Sequence, residues 1–60
     1  MQLPIEEVKA EGAAYKEAKT HKEKRSIFKR AKNLISPWDS ITRCMLTRTF
    51  ERAAGEEFAW

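Results

Sequence analysis

Apolar residues recur at helical spacing along most of the chain. Ile27, Phe28, Ala31, Leu34 and Ile35 follow the i, i+3/i+4 rule and define one helix face. Upstream, Ile5, Val8, Gly12 and Tyr15 follow the same rule. Downstream, Trp38, Ile41, Met45, Leu46, Thr49, Phe50 and Ala53 share a side, with Ser40, Arg43, Thr47 and Glu51 opposite. Ser36-Pro37-Trp38-Asp39 divides the chain between these patterns. Ser36 suits an N-cap, Pro37 the first helical position, and Asp39 a short capping-box carboxylate at the positive end of the helix dipole. Pro37 also disfavours the α region at Ser36, which stops a helix arriving from upstream. Leu3-Pro4-Ile5-Glu6-Glu7 reads as an earlier start of the same kind. Gly55, after the last apolar turn, suits a left-handed C-cap, and Arg52 lies near the negative dipole end.

These signals predict an all-α fold: a helical hairpin with one helix over 4–35, a turn at Ser36-Pro37, a second helix over 37–54 and a short tail over 55–60. Residues 1–60 form one small domain. Thr20-His21-Lys22-Glu23 matches a capping box, so a monomeric three-helix bundle with a break near Thr20 is the alternative. A helix over 4–35 would be about 48 Å long and its partner about 27 Å, leaving an overhang of about 20 Å. The overhang carries Ile5, Val8 and Tyr15, turned roughly 120° from the stripe that serves the hairpin. Ala10, Ala13, Ala14 and Ala18 either admit a close neighbour there or only supply helix propensity.

Length sharpens this point. A 60-residue chain buries only about 60% of its unfolded surface, and disulfides, metals or oligomerisation usually make up the deficit. One cysteine, Cys44, closes no intramolecular disulfide, and with one histidine, His21, it falls short of a zinc site. A homodimer with a four-helix arrangement is the expected remedy. The lone cysteine fits a reducing cytosol. No apolar run approaches the ~18 residues needed to span a membrane. No signal peptide is evident, and the chain opens on Met1 as a complete small reading frame would.

Charge is uneven. Lys9 against Glu6, Glu7 and Glu11 leaves residues 1–15 at −2; eight Lys and Arg against Glu17 and Glu23 put 16–35 at +6; residues 36–60 stand at −1, which sums to +3. The basic block over 16–32 could contact nucleic acid through Lys22, Arg25, Lys29, Arg30 and Lys32. Read on a wheel, the block surrounds most of the helix, as a solvated midsection also would. The Ser-Pro connection and an inward Trp38 argue against a helix-turn-helix. The block has no companion row of exposed apolar residues, which argues against a membrane-surface helix.

No catalytic or cofactor constellation appears. His21 reads as a surface histidine and Cys44 as an inert thiol at the margin of a polar face. Ser26, Ser36 and Ser40 have no base in pattern, Glu6 and Glu7 are dipole partners, and no glycine-rich phosphate loop exists. The expectation is a non-enzyme without cofactor or metal. Phe58 and Trp60 either fold back beside Trp38 and Phe50 or form an exposed aromatic anchor for a partner. Ile5, Val8, Tyr15, Phe58 and Trp60 are thus the candidate interface for a second copy or another protein.

The compact reading frame, the stretch Tyr15-Lys16-Glu17-Ala18-Lys19 and the stretch Ser36-Pro37-Trp38-Asp39-Ser40-Ile41 resemble the small helical proteins of lambdoid phage early regions. That resemblance implies an accessory role in host takeover or in the lysis–lysogeny decision, through contacts with host or phage proteins in the bacterial cytoplasm. Two functions follow: a small protein-interaction module acting as inhibitor, adaptor or modulator, and, second, a basic nucleic-acid-binding accessory factor.

Overall fold

A computed structural model describes residues 2–58. Among them are three helices and no strand: α1 (Ile5–Glu17), α2 (His21–Ile35) and α3 (Ser40–Ala54). The fold is all-helical, but the helix expected over 4–35 is two helices. The chain is extended at Ala18 and at Thr20. The Thr20 side chain accepts a hydrogen bond from the Glu23 N–H at 3.2 Å, and Glu23 Oε2 accepts from the Lys19 N–H at 3.5 Å. This is a capping box displaced by one residue on its return leg. With 13, 15 and 15 residues, the helices are of nearly equal length. The longest dimension is 32 Å. No overhang of the expected kind exists, so that motive for pairing with a second copy is gone.

The second correction lies at the turn. Ser36 is not the N-cap of α3. It has helical φ/ψ and its N–H donates to the Lys32 carbonyl at 2.8 Å, so it closes α2. An N-cap needs extended backbone, which Asp39 has (φ −70°, ψ 172°). Its carboxylate accepts from the Thr42 N–H at 2.9 Å. Between the two, the Trp38 N–H donates to the Ile35 carbonyl, and Trp38 packs half-buried on the core from the turn rather than from the helix. At the far end Gly55 has φ 76°, the left-handed C-cap read from the sequence, and its N–H donates to the Glu51 carbonyl.

The helix α1 lies against both α2 and α3, which meet each other over much less of their length. The core is Val8 from α1, Ile27, Ala31 and Ile35 from α2, and Leu46, Phe50 and Ala54 from α3. Phe50, Leu46 and Val8 are fully buried, each contributing ~1.5–3 kcal/mol by leaving water. The α1–α3 approach is close at Gly12. A β-carbon there would stand 2.5 Å from Ala53 Cβ and 2.9 Å from the Phe50 carbonyl oxygen. Glycine, rather than the alanines, makes the thin surface; Ala10 and Ala13 are exposed, and Ala14 and Ala18 pack half-buried on the core.

That contact sets the rotation of α3 and corrects the stripe read for it. Leu46, Phe50 and Ala54 point inward. Ile41 and Met45 lie about 140° and 100° round the helix from Leu46 and point outward, 78% and 48% exposed.

In an open helix, Gly12→Ala would raise stability by about 1 kcal/mol through propensity. Here it should lower it by about 1–3 kcal/mol, because the new methyl overpacks the contact. Urea melts followed by circular dichroism check the sign, with Ala13→Gly on the open side costing about 1 kcal/mol as the propensity control. A midpoint that rises for Gly12→Ala means that α1 and α3 do not touch there.

Candidate functional site

The sequence-predicted interface residues divide between the core and an aromatic cluster. Val8 is fully buried, and Ile5 and Tyr15 pack against the core. These three face α1's own neighbours, so they present no free stripe to a second copy in this conformation. Trp60 lies outside the described residues. Phe58 docks on the chain itself. Its N–H donates to Glu51 Oε2 at 2.9 Å. Its ring lies 5.0 Å from Tyr15, 5.4 Å from Phe28 and 5.4 Å from Phe50, centroid to centroid. Tyr15 and Phe28 also meet Phe50 edge-on, at 5.8 and 6.2 Å. The rings thus join all three helices and the segment after α3. Such pairs contribute ~0.5–1.5 kcal/mol each beyond burial. Trp38, the neighbour expected for Phe58, is not part of the ring contacts described.

The Tyr15 hydroxyl donates to Glu56 Oε1 at 3.4 Å. Its pKa is raised above 10.0, first by desolvation, then by the Glu56 charge and the hydrogen bond. The Asp39 carboxyl is held below 3.8, first by the Thr42 side chain, then by the Thr42 backbone, with Arg43 adding to the effect. Both shifts serve the fold. Asp39 contributes stability above 3.8 that is lost as pH falls through its lowered folded value.

The five cations named for nucleic acid also separate. Arg30 Nε stands 2.9 Å from Glu11 Oε2, across α1 and α2. The contact is an ion pair without an aligned hydrogen bond, since Glu11 Oε2 accepts none. With Arg30 62% exposed it contributes at most about 1 kcal/mol. Lys22, Arg25, Lys29 and Lys32 are exposed on the side of α2 away from Ile27, Ala31 and Ile35. Lys32 Nζ lies 5.7 Å from the Phe28 ring centroid. Lys24, absent from that set, lies over Tyr15 at the same distance.

The feature that sequence reasoning missed is the outer face of α3. Ser40, Ile41, Cys44, Met45 and Arg48 line one shallow depression there. A signal for it existed: the stripe read from Trp38 to Ala53 spans about 180°, wider than a single helix contact covers. His21 opens α2 and Cys44 is exposed on α3. Among the described residues no three His, Cys, Asp or Glu side chains gather where a metal could sit, and no helix is long and apolar enough to cross a membrane. No family model, curated protein or solved structure matches the chain.

The chain holds a single tyrosine, so its titration reads directly at 295 nm. A raised folded pKa means that Tyr15 contributes stability present below pH 10 and lost as pH rises through the folded value. The absorbance midpoint should lie above 10.0. Glu56→Gln should bring it down but leave it raised, because desolvation, the largest cause, remains. A midpoint unchanged by Glu56→Gln removes the Tyr15–Glu56 contact.

Proposed function

We propose that this chain is a small non-enzymatic interaction module that binds a partner protein on the outer face of α3. The observation that carries this reading is the exposed pair Ile41 and Met45, one turn apart on a helix whose other large apolar residues are covered. Isolated apolar residues on a surface need no explanation. This pair is adjacent and shares its depression with Arg48 and no carboxylate. Arg52 follows one turn beyond Arg48 and is also exposed; on their other side the two arginines line a depression with Glu51, Glu56 and Glu57. The partner that fits is an amphipathic helix whose apolar side chains cover Ile41 and Met45 and whose carboxylates reach the two arginines. Such charge complementarity orients a partner and excludes others. The likeness to lambdoid early-region proteins adds a setting, a host or phage protein in the bacterial cytoplasm, in which the module acts as inhibitor, adaptor or modulator.

The competing occupant is a second copy, the homodimer expected from the chain's small size. Sedimentation equilibrium from micromolar to hundreds of micromolar separates the two. A mass that stays at 7.0 kDa leaves the face to another protein, and a concentration-dependent rise that Ile41→Asp abolishes gives it to self-association.

Immobilised chain exposed to bacterial lysate should retain a protein that Ile41→Asp or Met45→Asp releases at least about tenfold, a loss of ~1.4 kcal/mol. Lys29→Gln on α2 should retain it fully. Both α3 variants should melt within about 0.5 kcal/mol of the parent, since the positions are exposed. Retention equal for all variants rejects the α3 face as the docking surface.

A further inference from the structure

The helix α2 offers a second surface of different chemistry. Lys22, Arg25, Lys29 and Lys32 are spaced by three, four and three residues. At 100° per residue they fall within an arc of about 80°, centred about 140° round the helix from the buried stripe of Ile27, Ala31 and Ile35. All four are exposed. The arc holds no carboxylate: Glu23, the acidic residue of α2, sits on the other side, occupied with the cap at Thr20 and the Lys19 N–H. The contacts across to α1 thin the basic block that surrounds this helix. Arg30 and Lys24 turn to Glu11 and Tyr15 of α1, Lys32 lies over the Phe28 ring of its own helix, and Lys22, Arg25, Lys29 and Lys32 form one row along α2.

We infer that this row binds the phosphate backbone of nucleic acid. Its ends are ten residues apart, about 15 Å along the axis. Over that length a duplex presents about nine phosphate charges on its two strands, more than the four cations can neutralise. The row continues toward α3, because Lys32 lines the groove between α2 and α3 together with Ser36 and Arg43. Nothing in the row favours the other polyanions. An acidic protein surface would want an apolar or aromatic anchor beside the charges, and an anionic membrane would want an apolar edge to insert. The four positions have no apolar side chain among them; Phe28, which lies beside Lys32 and shares a depression with Arg25, is half-buried in the ring cluster. Contacts of this kind position a backbone without reading bases, so binding is independent of sequence. The inference does not rest on the α3 docking face, since the four cations lie on another helix, although the groove at Lys32 shares Ser40, Cys44 and Arg48 with that face.

The test is fluorescence anisotropy with labelled 20-base-pair DNA duplexes of two unrelated sequences, a single-stranded RNA, a poly-glutamate peptide and phosphatidylglycerol vesicles. For the duplexes the logarithm of the binding constant should fall against that of salt with a slope of about −3.6, and for the single strand about −2.8, as four contacts require. Raising salt from 50 to 200 mM should then weaken duplex binding about 150-fold. Arg25→Gln and Lys29→Gln should each lessen the slope by about 1 on both duplexes, whereas Arg52→Gln on α3 should not. The inference is overturned by any of three results: no binding at 20 mM salt up to high micromolar protein, a slope indifferent to the α2 variants, or equal binding to poly-glutamate or vesicles. Because these positions are exposed, circular dichroism of each variant should match the parent, which keeps loss of binding distinct from loss of fold.

Discussion

The contact at Gly12 is the constraint on which the rest of the structure depends. With no β-carbon, α1 comes against the Phe50 carbonyl and Ala53 of α3. Any larger residue holds the two helices apart. The closeness has a rotational consequence. A helix touching along a backbone-to-backbone line cannot turn without lifting off, so α3 must direct Leu46, Phe50 and Ala54 inward. Phe50 then becomes the ring on which Tyr15, Phe28 and Phe58 converge. Ile41 and Met45, apolar but on the wrong arc, are left outside. The exposed face of α3 is thus a by-product of this close packing.

The break at Thr20 follows from a comparison of magnitudes. A helix running on through residues 18–20 would gain a few backbone hydrogen bonds, each worth ~0.5–1.5 kcal/mol net. It would leave the stripe of α1 pointing about 120° away from that of α2. Val8, fully buried in the structure, would be stranded in water together with Ile5 and Tyr15. Burial returns ~1.5–3 kcal/mol for each large side chain. The Thr20 cap returns about 1 kcal/mol more. Breaking the helix therefore wins, and two stripes that conflict within one rigid rod each find the same core.

Much of this was legible in the residues themselves. Helix content, the cap at Thr20, the left-handed glycine at position 55 and the arginine in the last turn of α3 are local features, set by chemistry within a few residues. The choice between Ser36 and Asp39 as cap was not legible, because both carry a suitable side chain. What decides is where α2 releases the backbone, and Ser36 is still held by Lys32. The rotation of α3 was not legible for the opposite reason. It depends on Gly12, which lies 38 or more positions away from the residues it meets. The sorting of the basic block belongs to the same class, since the partners of Arg30 and Lys24 lie on another helix.

Once the core direction is known, the row on α2 acquires a cost. Like charges three or four residues apart destabilise a helix by ~0.2–0.5 kcal/mol per pair, and Lys22, Arg25, Lys29 and Lys32 make three such adjacent pairs. Lys22 also sits in the first turn, where the helix dipole disfavours a cation. The total approaches ~1 kcal/mol, a substantial fraction of the stability that a core of this size supplies. A carboxylate at any one of the four positions would relieve it without touching the core. Glu23 shows the opposite placement, an acid set where the dipole and the cap can use it. Lys32, in the last turn beside the Phe28 ring, is the exception; the other three charges on the outer face do little for the fold that holds them. An anion outside the chain would offset that cost, which is the physical ground for proposing this face as a working surface rather than a solvated one.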